Sequence, residues 1–374
     1  GRSIQPYLEF PPITRSVTHE PFSWPVFVAL VVLIVGAVTP FVVSISSFVS
    51  LRRLSLRQSS VLDRAPSRQT PCPVRSFPWW GWLGILWTLL AWFLAWTRFE
   101  WMGPLQAFTF TPLWLGYIVV VNALTCRRIG HCMMLHRPRY FLSLFPLSAA
   151  LWWSFECLNR FVQNWYYLGG QELTAWEYVW QATLPFSTVL PAVLGTAELL
   201  TAYPGFTVGL NQYRVVDVSH RTRWGWGLLC GAAGGLLGIG LWPNFLFSLV
   251  WVAPLLLIIT IQWIRGEPTI FDGLGRGDWR TPWVAALAAL ICGFFWELWN
   301  FYSLAHWEYA VPFVQRFEWF HMPLLGYAGY LPFGLECLAV ADLCLTGKFS
   351  GGAAYYRAMR DTDLAQRKPT VAER

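Results

Sequence analysis

FFWELWNFYSLAHWEY at residues 294–309, followed by HMPLLGYAGYLPFGLE at 321–336, is the stretch on which the fold of this chain turns. The chain holds an earlier copy: SFECLNRFVQNWYY at 154–167, then TLPFSTVLPAVLGTAE at 183–198. Each copy places Glu-x-x-Asn on an apolar helix, then an aromatic segment, a proline, and a second glutamate on the next apolar helix. Glu156, Asn159, Pro185 and Glu198 thereby match Glu297, Asn300, Pro323 and Glu336.

Around these copies the chain is 55% hydrophobic and only 13% charged over 374 residues, a balance that no ordinary soluble domain has. Its apolar runs are long enough, at about 20 residues, to cross a hydrocarbon core of roughly 30 Å as helices. The expectation is an all-α integral membrane protein. The formal charge of +7 could suggest nucleic acid, but the arginines lie between apolar runs and not on one face. They set topology instead, so membrane lipids are the expected surroundings and nucleic acid is not an expected partner. Cys72, Cys126, Cys132, Cys157, Cys230, Cys292, Cys337 and Cys344 fall in apolar helices or on the side assigned to the cytoplasm, which argues against a disulfide framework.

The runs predict nine transmembrane helices, at about 24–49, 79–97, 108–126, 140–163, 182–203, 224–241, 244–264, 282–303 and 322–346. The division is an extracytoplasmic arm at 1–23, an N-terminal anchor at 24–50 and a cytoplasmic linker at 51–78. Two four-span repeats at 79–218 and 219–350 and a cytoplasmic tail at 351–374 complete it. Proline and polar residues predict an extended arm at 1–23. The 24–50 run lacks a basic start and a small-residue cleavage site, so it reads as an anchor. Alternating sides from the arginine-rich 51–78 linker collects most of the basic residues on one side. That puts the N-terminus outside and the C-terminus in the cytoplasm of a cell membrane, most simply a bacterial inner membrane.

An even number of spans per repeat means that both repeats enter from the same side. They are then parallel repeats related by a pseudo-two-fold axis along the membrane normal. Trp80-Gly81-Trp82 matches Trp224-Gly225-Trp226, which extends the correspondence to the first helix of each unit. Gly227, Gly231 and Gly235 form a Gly-x-x-x-Gly ladder that lets a neighbouring backbone approach closely, so the sixth span is expected at the centre. The second span, with Trp87, Trp92 and Trp96, is expected at the periphery.

Glu297, Glu156, Glu198 and Glu336 are the candidate proton- or cation-handling residues. A charge at mid-bilayer costs about 2.5–3.5 kcal/mol on insertion scales unless it is protonated, paired or bound. Asn159 and Asn300, three residues after a glutamate, share its helical face and are candidate binding residues. Arg160, four residues after Glu156, is a local counter-charge; Phe301 stands at the matching place, so Glu297 is the stronger candidate for handling protons. The bland alternative is that all four acids only hydrogen-bond helices together. Glu198 and Glu336 should lie one to two turns deeper unless their helices break near Pro185, Pro191, Pro323 or Pro332.

Paired Glu-x-x-Asn motifs echo the carboxylate arithmetic of di-iron bundles, but asparagine replaces the histidine that such sites use, and no metal is assigned. His131 and His136 with Cys126 and Cys132 fit no standard zinc spacing. His306 and His321 lie in the outer aromatic segments. Trp165, Trp176, Trp180, Trp307 and Trp319 are expected as an interface belt, or else as an aromatic roof over a lipid-sized cavity. No phosphate-binding loop, dinucleotide fingerprint or His-Glu-x-x-His occurs, and no cofactor is indicated.

The WELWNF…HMPLLGYAGYLPFGLE stretch resembles a pattern found in a polytopic bacterial membrane-protein family without established activity, some of whose members carry a mechanosensitive-channel label. The resemblance extends over most of the chain, including HEPFSWP at 19–25. It implies a multi-spanning fold and no particular activity. In concept, though in no motif, the paired acids also resemble those of tandem-repeat lycopene cyclases.

The leading expectation is a transporter or ion-conducting protein with buried glutamates at the repeat interface. The alternatives are an intramembrane enzyme acting on a lipid or isoprenoid by acid or metal chemistry, and a structural subunit that docks other membrane subunits through residues 1–50.

Overall fold

The computed structural model describes residues 8–11, 17–62, 75–169, 173–217 and 221–345. The expected 351–374 tail, and Arg64 and Arg68 of the linker, lie outside the described residues. The described residues are 72% helix and 4% strand, and seven helices among them are long and apolar enough to cross a membrane. It is a multi-pass, all-α membrane protein. An eighth crossing follows if the bent pair Pro243–Trp251 and Ala253–Ile264 is one span.

In chain order the helices are α1 Trp24–Leu62, α2 Trp79–Trp96, α3 Phe110–Ile129, the short α4 Met133–His136, and α5 Pro138–Val162. Strand β1, Trp165–Leu168, leads to α6 Ala175–Phe186 and α7 Val189–Thr201, which together make one crossing. Then come α8 Arg221–Gly238, the short α9 Pro243–Leu246, α10 Ala253–Ile264, α11 Arg280–Asn300, strand β2 His306–Tyr309, the two-residue strands Glu318–Trp319 and Met322–Pro323, and α12 Tyr330–Leu345.

Several expected boundaries move for identifiable reasons. Helix α1 runs on to Leu62, well past its apolar part. Helix α6 starts earlier than expected because Thr174 and Glu177 form a capping box that supplies its first N–H groups with acceptors. The expected 244–264 span is broken at Val252 and bent by 55°, with Pro254 in the first turn of α10. The 182–203 and 322–346 spans both depart from straight helices near their prolines. The first turns at Ser187–Thr188, and the second begins as a tight 3-10 segment, Leu324–Gly329.

The central role expected for the Gly-bearing helix does not hold, whereas the Trp-bearing α2 is peripheral as expected, with 22% of its apolar window buried. In α8, a side chain built at Gly227, Gly231 or Gly234 would meet nothing within 4 Å. Most of the ladder therefore faces away from the protein, and α8 packs chiefly on α10 at the edge. Close packing occurs in α2 instead. A Cβ at Gly84 would lie 2.7 Å from Val119 and one at Gly81 2.6 Å from Ala123, so α2 and α3 meet along a glycine seam while Trp82 and Trp87 face outward.

Two ends of the bundle are distinct. At one, Met133 N–H reaches Glu198, Arg128 reaches the Ala202 carbonyl, and Tyr213 and Val216 pair with Gly277 and Leu274. The arginine-bearing connectors 127–139, 202–217 and 265–280 therefore gather there, joined by Phe41 and Ser44 of α1. At the other end, β1 and β2 pair antiparallel, Trp165 opposite Tyr309 and Tyr167 opposite Trp307. The start of α1 joins this end through the Ser23–Phe313 and Phe313–Glu20 backbone bonds.

Candidate functional site

Each Glu-x-x-Asn sits where its helix hands the chain to a strand. Asn159 donates to the Trp165 carbonyl at 2.8 Å and accepts from Asn164 N–H at 2.8 Å. Asn300 donates to the Trp307 carbonyl at 2.7 Å and accepts from Trp307 N–H at 2.8 Å. Both amides thus tie the helix end to the next strand and position its tryptophan. As side chains they are turned to the protein's own backbone.

The glutamates one turn earlier face the rings that those strands deliver. Glu156 Oε1 accepts from the indoles of Trp152 and Trp165, each at 3.1 Å, and from the Tyr167 hydroxyl. Glu297 Oε1 accepts from Tyr309 at 2.7 Å and Tyr330 at 2.8 Å, and Tyr309 is in turn held by the Trp307 indole at 2.7 Å. Burial, then the adjacent glutamate, pushes the Tyr167 and Tyr309 phenols well above their ordinary range, so both remain donors. Trp152, Trp296 and Tyr330 are ring neighbours, at 6.4 Å and 5.7 Å between centroids, and fill the space from one acid to the other.

The two halves differ in what is left over. Glu297 is fully buried, and its Oε2 has no hydrogen-bond partner among the described residues. Glu336, 1% exposed, also has an unpartnered Oε2 among them. In the first half, Glu198 accepts Met133 N–H at 2.9 Å, while Asn122 accepts Met134 N–H at 3.0 Å, so this acid anchors the α4 turn at the arginine end. Arg160 turns its Nη1 to the Glu9 carbonyl at 2.9 Å, with its guanidinium near the Phe10 ring. The donors on Glu156 are aromatic.

The four acids do not converge. Glu156 and Glu297 lie under the strand pair and Glu198 at the opposite end, and no three His, Cys, Asp or Glu residues among those described could hold a metal together. His306 and His321 stack on each other at 5.5 Å, beside Glu308, which accepts from Tyr166 at 2.7 Å across the strand pair.

The tryptophans divide between two roles. Trp176, Trp180 and Trp319 are exposed, as a belt requires. Trp165 is buried on Glu156 and Trp307 backs Tyr309, so neither belongs to a belt. These two, expected as belt or roof, surround the paired acids together with Tyr167, Tyr309, Trp152 and Tyr330, four side chains that sequence reasoning missed. A signal was present: Trp-x-Tyr follows each Glu-x-x-Asn, as Trp165-Tyr166-Tyr167 and Trp307-Glu308-Tyr309. Family models, curated proteins and solved structures each return no match to this chain.

Proposed function

We propose that the protein is an integral membrane transporter or ion-conducting protein in which buried glutamates between the two halves handle protons or cations, with Glu297 first among them. One observation carries this: Glu297 is fully buried, its Oε1 takes two tyrosine hydroxyls, and its Oε2 has no partner among the described residues. A carboxyl oxygen left unpaired inside a membrane protein is expensive, and a proton or a passing cation would relieve it. Glu336 extends the same role deeper in the second half. Glu156, with its aromatic donors, and Glu198, anchoring α4, hold the frame.

The finer architecture we propose is nine spans, with α8 as the ninth, arranged as one N-terminal span and two parallel four-span repeats. The matching asparagine-to-strand bonds, and strands that pair about Tyr166 and Glu308, support a two-fold relation. Gathering of the arginine-bearing connectors at one end supports an N-terminus outside and a C-terminus in the cytoplasm, in a bacterial inner membrane. An 18-residue apolar window of α1 has none of its residues buried, which supports docking of other membrane subunits through residues 1–50.

The alternative is an intramembrane enzyme acting on a lipid or isoprenoid by acid chemistry. The Trp114, Trp296, Tyr330 and Phe333 rings near Glu297 favour it, since ring faces stabilise developing cations. Proteoliposomes holding a pH-sensitive dye separate the two. Under an imposed proton or alkali-cation gradient, the wild type should carry flux and Glu297→Gln should not, at equal insertion and thermal stability. Equal flux in both would sink the transport reading; no flux in either, with turnover of added polyprenyl lipid, would favour the enzyme.

A further inference from the structure

At the arginine-rich end, outside the glutamate sites, a cavity of about 460 Å³ is lined by Arg75, Ser76, Pro78, Cys126 and Arg127. We infer that it is a binding site for the phosphate headgroup of an anionic phospholipid in the adjoining leaflet.

The two guanidiniums are differently prepared. Arg75 is set by the chain: its Nη1 donates to the Gly130 carbonyl at 3.3 Å. It lies where Gly130 has no side chain, since a Cβ there would come 2.2 Å from Arg75 Nη1. Gly130 also takes φ +84°, the left-handed turn that ends α3. The neighbouring arginines of that turn divide their work. Arg128 donates Nε to the Ala202 carbonyl at 3.2 Å and stands over the Tyr203 ring, whereas Arg127 lines the cavity.

No ion pair of Arg75 or Arg127 with a carboxylate is present among the described residues. Burial, then the positive groups of His136, Arg137 and Arg75, holds the His131 imidazole below its ordinary value, which registers the same positive field. Guanidinium pairs recognise phosphate oxygens through paired N–H groups, with the Ser76 hydroxyl available as a further donor. A lipid suits the place better than a free anion. Pro78 and Cys126 give the cavity apolar wall, and α2 begins beside it with Trp79 and Trp82 exposed. Acyl chains would run along that face while the phosphate meets the arginines.

The test is native mass spectrometry of the detergent-purified protein with phosphatidylglycerol and phosphatidylcholine. The wild type should retain phosphatidylglycerol at least about tenfold more strongly than phosphatidylcholine. Arg75→Gln/Arg127→Gln should lose that preference, and Arg265→Gln, matched in charge to Arg127→Gln but placed elsewhere, should keep it. Because Arg75 also supports the α3 turn, Arg127→Gln alone serves as the second variant and should lower the preference severalfold. Equal retention by the double variant and wild type, or equal loss in Arg265→Gln, would overturn the site. Displacement of phosphatidylglycerol by millimolar inorganic phosphate would assign it to a free anion and overturn the lipid.

Discussion

Tyr330 gives its hydroxyl to Glu297 at 2.8 Å from a helix that the chain reaches 33 residues later. The ring fits because Gly293, one turn before Glu297, has no side chain: a Cβ there would lie 2.3 Å from the Tyr330 ring. The matching position in the first half is Trp152, which donates to Glu156 from the same helix. A donor on the acid's own helix in one half is thus replaced by a glycine and a donor from the next helix in the other.

Gly293→Ala should therefore push Tyr330 off Glu297 and act on Glu297 at a distance. Overpacking of this kind costs about 1–3 kcal/mol. Tyr330→Phe, which removes the donor without crowding, should lower flux less than Glu297→Gln does. Dye-loaded proteoliposomes and thermal melting measure both effects, and equal flux in all three variants would rule out a working Glu297.

The two glutamates should respond oppositely to the same change. Glu156→Gln can still present an oxygen to Trp152, Trp165 and Tyr167, so flux should hold within about twofold and stability should drop by no more than about 1–2 kcal/mol. Glu297→Gln should leave stability near wild type and abolish flux. A Glu156→Gln protein that folds but is dead would reverse the assignment.

Asn159→Ala and Asn300→Ala should destabilise rather than inactivate selectively. Each leaves strand backbone groups unpaired at a helix end, at about 1–3 kcal/mol. Denaturation in detergent should show similar losses for the two. A variant with normal stability and altered ion selectivity would mean that the amide meets the transported ion.

Burial above all pushes the Cys132 thiol up to about 12, so the neutral form persists at every pH below that. The thiolate is the attacking species. Maleimide at pH 8 should leave Cys132 unmodified in folded protein and react after unfolding, as peptide mapping will show. Rapid labelling in the folded state would contradict its burial.

Glycine positions give a test of the edge placement of α8. Gly334→Ala would bring a Cβ within 2.1 Å of the Ala285 carbonyl oxygen, a backbone atom, and should abolish or sharply lower folded yield. Gly231→Ala meets nothing and should be neutral or slightly stabilising, since alanine favours a helix by about 1 kcal/mol over glycine. A damaging Gly231→Ala would restore a packed role for the ladder.

Much of this was legible without coordinates. Run length and apolar content determined the membrane class. The spacing of Glu156 to Asn159 and of Glu297 to Asn300 put each acid and its amide on one helical face, because three residues along a helix keep both groups on the same side. Arginines between runs marked which connectors would gather together. What only the tertiary structure decided was which groups face each other. In a membrane the lipid and the protein interior are both apolar, so composition does not tell an outward glycine face from a packed seam, and Gly231 and Gly84 look alike in sequence. Nor do spacing rules within one helix show that Tyr330 reaches Glu297, that Trp165 covers Glu156, or that Glu297 Oε2 is left unpartnered among the described residues. Those outcomes depend on where a bent helix and a strand pair return the chain, and on hydrogen bonds whose partners lie in separate elements.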